Sequence, residues 1–442
     1  MSRADAAWLH ADEPANQFVV TSLMLLGERL SLERWRAELE RRLPALPRFS
    51  QRVVEQASPL AAPHWETDPD FELAAHVHRL TLPPPGGAGQ LEELLADLMS
   101  QPIPLQRPPW QSYLVEDFEH GSAVISRLHH CLGDGPALIE ILHSLTDEGN
   151  PRRPPEPNGS SGAPGVMDLM RAAGGAAGLL RSPTRLGGLL RTGLDSAATL
   201  ARLSLLDPDP VTPLRGRQGP LKRAAWSRPL SLAAARRVGR RTGTTVNDVL
   251  TSVIAGGLGE HLRGRGVPTA GLRLRAMVPV NLRPRTGPVA PGNVFSLVLL
   301  ELPVGVGHPL ERLMRVKLEM DRIKGSAEAG VGWAVVRGMG LLPAAIGQPL
   351  SRFYANKATL VLTNVPGPAQ TLHLAGTPIR RMAFWEPESG GLGVGISIFS
   401  YAGEVTVGAI TDARLIERPA DLVAAFERAF AALAATCGVR PA

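Results

Sequence analysis

The strongest candidate for chemistry in this sequence is the run HHCLGDG at residues 129–135. It directly follows the strand-like segment 122–128 and precedes a helical pattern that opens with Pro136, so the motif stands where a strand ends. Neighbouring side chains at a strand end point to opposite faces, and only one of the two histidines can face a given cavity. A single imidazole held in this way is suited to act as a general base.

The acidic end of the motif suits a turn from the strand into the helix. A carboxylate at Asp134 would meet the favourable dipole of the helix N-terminus, so we expect Asp134 to hold local structure more than to take part in a chemical step. A metal site could draw its ligands from one stretch, namely from His129, His130, Asp134 and His143. Because the adjacent histidines point apart, we expect no metal there.

Other reaction classes find little support. Cys131 stands beside His130, but sequence neighbours rarely form a nucleophile–base pair, and a lone cysteine is usually a small core residue. The sequence has no G-x-S-x-G elbow, no Walker loop and no G-x-G-x-x-G after a strand. A base without a protein nucleophile points to direct proton removal from a substrate. Burial should lower the pKa of the histidine that faces the cavity and keep its imidazole neutral.

Strand and helix signals alternate along both halves of the chain. Hydrophobic spacing predicts strands at 18–26, 110–118, 273–282, 293–302, 394–400 and 404–410. It predicts helices at 32–43, 90–99, 232–241, 309–323 and 420–435. The chain has 442 residues, which is enough for two domains. The pattern therefore predicts an α/β protein in which one architecture occurs twice.

A linker separates the two halves. Residues 149–164 are rich in Pro, Gly and Ser, and residues 165–206 are rich in Leu, Ala and Gly with arginines too frequent for a membrane span. This second segment fits either a basic helix at a membrane interface or a loose helical crossover. We predict an N-terminal domain at 1–148, a linker with a basic crossover at 149–219, and a C-terminal domain at 220–442.

Composition limits the classes of protein. Hydrophobic residues make up 44% and charged residues 20%, which is typical of a folded globular chain. Two cysteines cannot form a disulfide framework, and the N-terminus lacks the apolar stretch of an export signal, so we predict a cytoplasmic protein. The net charge of +6 favours anionic partners, but with 5% aromatic residues and no recognised binding module, we expect no nucleic acid.

Several motifs occur in the order seen in one known family. Residues 129–135 resemble the active-site motif His-His-x-x-x-Asp-Gly of the bacterial and plant wax ester synthase/diacylglycerol acyltransferase family. Further similar segments are 5–9 (DAAWL), 107–110 (RPPW), 245–249 (TVNDV), 292–296 (GNVFS), 363–368 (TNVPGP) and 400–403 (SYAG) with Asp412. The chain departs from the family pattern at Pro109, usually Leu, and at Thr363, usually Ser. The resemblance covers nearly the whole chain.

The resemblance implies the chloramphenicol-acetyltransferase-like fold, with two pseudo-symmetric α/β domains, mixed sheets flanked by helices and a central tunnel. In that scheme acyl-CoA enters from one side and an alcohol from the other. His130 is then the base, His129 matters less, and Gly135 belongs to the same motif. Asn247 is our candidate donor to the tetrahedral oxyanion, although an ordinary helix cap explains it at least as well.

The predicted function is that of an acyl-CoA-dependent O-acyltransferase that esterifies diacylglycerol, with long-chain alcohols as the next class of acceptor. Acyl-CoA is the expected co-substrate, without a permanently bound cofactor. Arg273, Arg275 and Arg283 are candidates for contacts with the CoA phosphates, and a solvated basic face is the alternative. The rival interpretation is a non-catalytic protein of the same fold that binds acyl chains or lipid surfaces. If residues 165–206 form an interfacial helix rather than a crossover, they would hold the protein to an anionic membrane, on its inner face, or to lipid inclusions.

Overall fold

A computed structural model describes residues 1–13, 15, 17–55, 63–149, 198–199, 201–283, 292–339, 344–388 and 390–441. Its principal helices are α1 (Arg3–His10), α2 (Leu32–Arg42), α3 (Ala88–Met99), α4 (Gly135–Ser144), α5 (Leu232–Thr242), α6 (Val246–Gly264), α7 (Pro309–Lys324), α8 (Glu328–Met339), α9 (Ala344–Ala355) and α10 (Pro419–Thr436). Most of the predicted linker, including residues 150–197, lies outside the described residues.

The strands in the first part of the chain are β1 (Val19–Leu26), β2 (Gln51–Val54), β3 (His64–Thr67), β4 (Val77–Leu80), β5 (Trp110–Phe118) and β6 (Gly121–His129). Those in the second part are β7 (Lys222–Trp226), β8 (Leu230–Ser231), β9 (Leu274–Asn281), β10 (Phe295–Leu302), β11 (Leu360–Pro366), β12 (His373–Leu374), β13 (Thr377–Trp385), β14 (Val394–Tyr401) and β15 (Glu404–Asp412).

Two mixed sheets organise these strands. The first has the order β12-β13-β1-β6-β5-β4, and the second has the order β10-β9-β11-β14-β15-β7, with β8 paired to β15. Strands β4 and β5 are parallel, and β11 runs parallel to both β9 and β14. The remaining pairs within the two sheets are antiparallel. Helices pack on both sheets, and the predicted α/β class is confirmed.

Strand β13 belongs by sequence to the second half and by pairing to the first sheet. It runs antiparallel to β1, with Thr21 opposite Trp385 and Met24 opposite Met382. The β12–β13 pair therefore completes a sheet whose other four strands come from residues before 130. Sequence analysis predicted no strand at this position. The domain boundaries at 148 and 220 stay a prediction, because most of the segment between them is not described.

Helix α6 shows how local sequence starts an element that packs on the second sheet. Its capping box is complete: Asp248 N donates to Thr245 Oγ1 at 3.1 Å, and Thr245 N donates to Asp248 Oδ2 at 2.8 Å. Further along, Gly257 allows α10 to approach closely, because a Cβ at that position would lie 2.3 Å from the Phe426 ring. Both helices cover the largest hydrophobic cluster, which includes Leu258, Leu362 and Phe426.

A helix that crosses a bilayer needs about 20 predominantly apolar residues. None of the helices in the described ranges is both long and apolar enough to span a membrane.

Candidate active site

The histidine motif is held by backbone contacts from both parts of the chain. Strand β6 ends at His129, and a single 3-10 turn at His130–Leu132 leads toward α4. His130 N donates to Phe18 O at 2.7 Å, and the side chain of Asn293 donates to His130 O at 2.9 Å. Asp5 Oδ1 in turn accepts hydrogen bonds from Asn293 N and Asn293 Nδ2, at 3.0 and 2.8 Å. Three motifs distant in sequence therefore meet at His130.

The His130 imidazole is buried between aromatic rings and a carboxylate. The ring centroids of Trp8 and Phe295 lie 5.2 and 5.6 Å from it, and Glu386 Oε2 lies 3.5 Å from Nε2. Burial lowers the pKa of His130, but the hydrogen bonding and charge of Glu386, together with the charge of Asp134, outweigh burial and raise the pKa above its usual value. The expectation of a lowered pKa is therefore wrong. The residue that raises the pKa most, Glu386, lies in none of the motifs recognised in the sequence.

His129 has different neighbours. Its Nδ1 accepts a hydrogen bond from Cys131 N at 3.2 Å, and its Nε2 lies 3.5 Å from Asp12 Oδ2. The other oxygen of Asp12 accepts the amide N–H of Phe18 at 2.7 Å, so this contact links the motif to the start of β1. Burial raises the pKa of the Cys131 thiol well above its ordinary value and keeps the sulfur protonated. Across the described residues, no group of three or more His, Cys, Asp and Glu is placed to hold a metal ion.

Asp134 connects the motif to the segment before β10. Its Oδ1 accepts Ala137 N at 3.2 Å and so caps α4, while its Oδ2 accepts Val294 N at 2.8 Å. Arg283 donates to the same Oδ2 through Nη1 and to Gly292 O through Nη2, the latter at 2.7 Å. The side chains of Asp134 and Arg283 are only 3% and 9% exposed. Arg283, which the sequence suggests as a contact for a CoA phosphate, therefore forms an ion pair with Asp134 in the structure.

Gly135 lies where the first turn of α4 approaches the second half of the chain. A Cβ at this position would lie 3.3 Å from Val365 and 3.6 Å from Glu386 Oε1. The adjacent residue on β11, Asn364, donates through Nδ2 to Asn247 Oδ1 at 2.6 Å. The structure thus brings Asn247 to the end of β11 that passes the motif. The Nδ2 of Asn247 faces Met320 Sδ at 3.8 Å, a weak acceptor that leaves the amide able to donate elsewhere.

The other two predicted phosphate contacts lie on or beside β9. Arg273 pairs with Glu301 at 2.8 Å, and both side chains are largely exposed. Arg275 pairs with the buried Asp209 at 2.9 Å and also donates to Asp207 O. Only Arg283 among the three contacts the histidine motif.

An apolar cavity lies close to His130. Trp8 forms part of its wall and also packs against the imidazole. Most other lining side chains are aliphatic, and they include Leu203, Met277, Leu297, Leu299 and Val336. The buried imidazole of His130 and a mainly aliphatic cavity are thus separated by the side chain of Trp8.

Comparisons with known proteins agree with the motifs. Residues 1–250 match the family model of the wax ester synthase/diacylglycerol acyltransferase catalytic domain, and residues 291–434 match the model of the corresponding C-terminal domain. A relative in Mycobacterium tuberculosis, described as a probable diacylglycerol O-acyltransferase, is 28% identical over 452 residues. That alignment covers 98% of this chain and 96% of the relative. The family resemblance predicted from the sequence is confirmed.

Solved structures show the same fold. The wax ester synthase/diacylglycerol acyltransferase from Marinobacter aquaeolei has a TM-score of 0.71 at 20% identity, with 98% of each chain covered. A variant of the starter condensation domain of rhizomide synthetase, in complex with C8-CoA and Leu-SNAC, has a TM-score of 0.57 at 12% identity. That match covers 99% of this chain and 92% of the other. These likenesses confirm the predicted two-domain, chloramphenicol-acetyltransferase-like architecture.

Proposed function

Because this chain belongs to the wax ester synthase/diacylglycerol acyltransferase family and is therefore an acyltransferase, we propose that it transfers an acyl group from acyl-CoA to the hydroxyl group of diacylglycerol, and less readily to long-chain alcohols. One observation carries the proposal: Trp8 contacts the His130 ring and also lines the apolar cavity. An acyl chain in that cavity would hold its thioester beside the imidazole. The name of the mycobacterial relative supports the acceptor, and the condensation domain solved with C8-CoA supports the donor.

The reaction proceeds by direct transfer. Neutral His130 takes the hydroxyl proton as the alcohol oxygen attacks the thioester carbonyl and the new C–O bond forms. The tetrahedral intermediate then expels the CoA thiolate as the C–S bond breaks, and the imidazolium returns the proton to sulfur. General-base catalysis of this type contributes about 10²–10⁴-fold. No acyl-enzyme is needed, in agreement with the buried, protonated thiol of Cys131.

Other predicted site residues take supporting roles in this proposal. Asn247 Nδ2, occupied only by the weak acceptor Met320 Sδ, is the candidate donor to the oxyanion. Asp134 and Arg283 hold the motif against the segment that precedes β10. Arg273 is the best suited of the three arginines to a CoA phosphate, because its partner is exposed and easily exchanged for another anion.

The test measures thiol release from palmitoyl-CoA with and without diacylglycerol or hexadecanol, in parallel with detection of the ester product. We expect release that depends on the acceptor, and a loss of about 10²–10⁴-fold in His130→Ala. The control is His120→Ala, which removes an exposed imidazole in the β5–β6 turn and should leave the rate unchanged. Thiol release at the same rate with and without an acceptor would reject the proposal, and so would full turnover in a folded His130→Ala variant.

Attachment to a lipid surface is a separate part of the proposal. Residues 165–206 have the composition of a basic interfacial segment, and near its C-terminal end the side chains of Leu205 and Val211 are 83% and 94% exposed. We expect the protein to lie in the cytoplasm, at the inner face of the membrane or on lipid inclusions. Deletion of 165–206 should then reduce sedimentation with anionic liposomes, and unchanged sedimentation would remove the reason for this assignment.

A further inference from the structure

The proposed mechanism gives no role to Glu386, whose carboxylate lies beside the proposed base, His130. Glu386 follows the last residue of β13, whose register against β1 places Trp385 opposite Thr21. The side chains of His130 and Glu386 are 7% and 12% exposed, and 3.5 Å separates Nε2 from Oε2. A strand that crosses from the second half of the chain into the first sheet therefore places a nearly buried carboxylate beside Nε2 of the proposed base.

The remaining charged groups around His130 have other partners. On the α1 side, Asp5 binds Asn293 and Asp12 lies against His129. At the start of α4, Asp134 is bound to Arg283. The neighbours from α1 and β10 that pack on the ring itself are the aromatic side chains of Trp8 and Phe295. The charged and titratable side chains of this region include Asp5, Asp12, Arg48, His129, Cys131, Asp134, Arg283 and Glu386. Of these, Glu386 is the carboxylate that lies against Nε2.

We infer that Glu386 is a positioning residue for the base: its carboxylate accepts the Nε2–H bond of His130, leaves Nδ1 to take up the proton of the acceptor hydroxyl, and stabilises the imidazolium that then forms. This inference rests on the proposed function. The proton goes from the hydroxyl to Nδ1 of His130 and then to the CoA thiolate, while the Nε2–H bond stays directed at the carboxylate. Hydrogen bonds between an imidazolium and a carboxylate are typically about 2.7–2.9 Å long, so a shift of less than 1 Å from the present separation closes the pair.

The physical benefit is selective stabilisation of the charged intermediate state. A fixed carboxylate in a site largely shielded from water stabilises an adjacent cation more strongly than bulk solvent does, and it needs no reorganisation when the charge appears. The raised pKa of His130 agrees with this arrangement. The same contact makes His130 a stronger base, at the cost of leaving more of it protonated at neutral pH. Transfer should therefore increase with pH through a value above 6.5.

A measurement that does not depend on turnover tests the pair directly. Protein labelled with ¹³Cε1-histidine is titrated by NMR, and the resonance absent from His130→Ala is assigned to His130. We expect its midpoint to lie above 6.5 in the native chain and to fall by about one to three pH units in Glu386→Gln, the usual effect of losing one nearby opposite charge. Glu386→Asp, which keeps the charge, should retain most of the upward shift. A native midpoint at or below 6.5 overturns the inference whether or not the variants fold.

The kinetic counterpart is the acid limb of the profile of kcat/KM against pH. In Glu386→Gln this limb should move to lower pH by the same amount, while the pH-independent rate falls by about threefold to thirtyfold because the base is weaker. Glu140→Gln, which neutralises an exposed carboxylate on α4, should change neither quantity. An unmoved acid limb and NMR midpoint in Glu386→Gln would refute the inference while leaving acceptor-dependent transfer intact. If the native chain itself shows no such transfer, the proposed function fails, and the NMR titration still decides the pairing.

Discussion

The buried pair of Asp134 and Arg283 should contribute strongly to stability, and the effect of breaking it can be worked out from its contacts. Asp134→Ala removes the α4 cap, the hydrogen bond from Val294 N and the charge opposite Arg283. Loss of a cap costs about 0.5–2 kcal/mol, and leaving one member of a buried pair uncompensated costs about 3–5 kcal/mol. Because these effects share one side chain, we expect a total of about 3–6 kcal/mol in the free energy of unfolding.

The double variant separates the charge from the cap. Arg283→Met alone should cost less than Asp134→Ala, because Asp134 keeps its two backbone donors, Ala137 N and Val294 N. Adding Arg283→Met to Asp134→Ala removes the buried guanidinium that has lost its contact with the Asp134 carboxylate, so the double variant should be no less stable than Asp134→Ala alone.

Urea unfolding, followed by tryptophan fluorescence, gives the four free energies of this cycle. The prediction fails if the two single costs simply add in the double variant, because the pair would then be uncoupled. It also fails if Asp134→Ala costs less than about 1 kcal/mol, the value expected of a cap alone. Either result would mean that the motif loop is held to the segment before β10 by its backbone bonds rather than by charge.

Three further predictions concern the cavity, one half-buried carboxylate and helix packing. Val335→Phe, which adds bulk to the cavity wall, should lower kcat/KM for the longest acyl-CoA tenfold or more relative to short ones, and competition between chain lengths measures this. Burial raises the pKa of Glu92 to about 7 from 4.5, because the folded state favours the protonated carboxyl group. The stability that this protonation contributes is complete below pH 4.5 and is lost as pH rises through 7. Glu92→Gln should remove that decline and stabilise the fold by about 1–2 kcal/mol at pH 8 in urea unfolding, and a loss of stability would contradict the sign. Gly257→Ala should destabilise the fold by about 1–3 kcal/mol in the same assay because its Cβ meets Phe426, and a neutral result would show that α10 can shift.

Local signals in the sequence predicted most elements whose partners lie nearby. The capping residues at Ser31, Thr245 and Asp134 mark helix starts that the structure contains. Strand β13 was missed for a physical reason. Its sequence, TPIRRMAFW, begins with an early proline and carries two adjacent arginines, which weakens the alternation of a strand, and its partner β1 lies near the other end of the chain. Only the assembled sheet shows that this segment is extended.

The candidate site likewise contains residues that local sequence predicts and residues that only the assembled fold brings in. The histidine motif can be read from consecutive residues, because a strand end, a turn and a helix cap follow one another directly. Glu386 has no such local sign, since its importance depends on the register of β13 against β1. The basic residues illustrate the limit of composition: Arg275 and Arg283 are both paired with acids far away in sequence. A count of cations cannot separate a site for an anionic ligand from an internal ion pair.

These long-range contacts make the chemistry of the motif depend on the assembly of the whole chain. Asn293 binds the backbone of His130, Arg283 binds Asp134, and Glu386 lies against the imidazole. All three come from segments beyond residue 280, whereas the motif ends at residue 135. The first sheet can bring a histidine to the end of β6 without them, but the ring would then lack its carboxylate and its loop would lack the buried ion pair. The environment of the His130 imidazole thus depends on both halves of the chain, and strand β13 joins those halves within the first sheet.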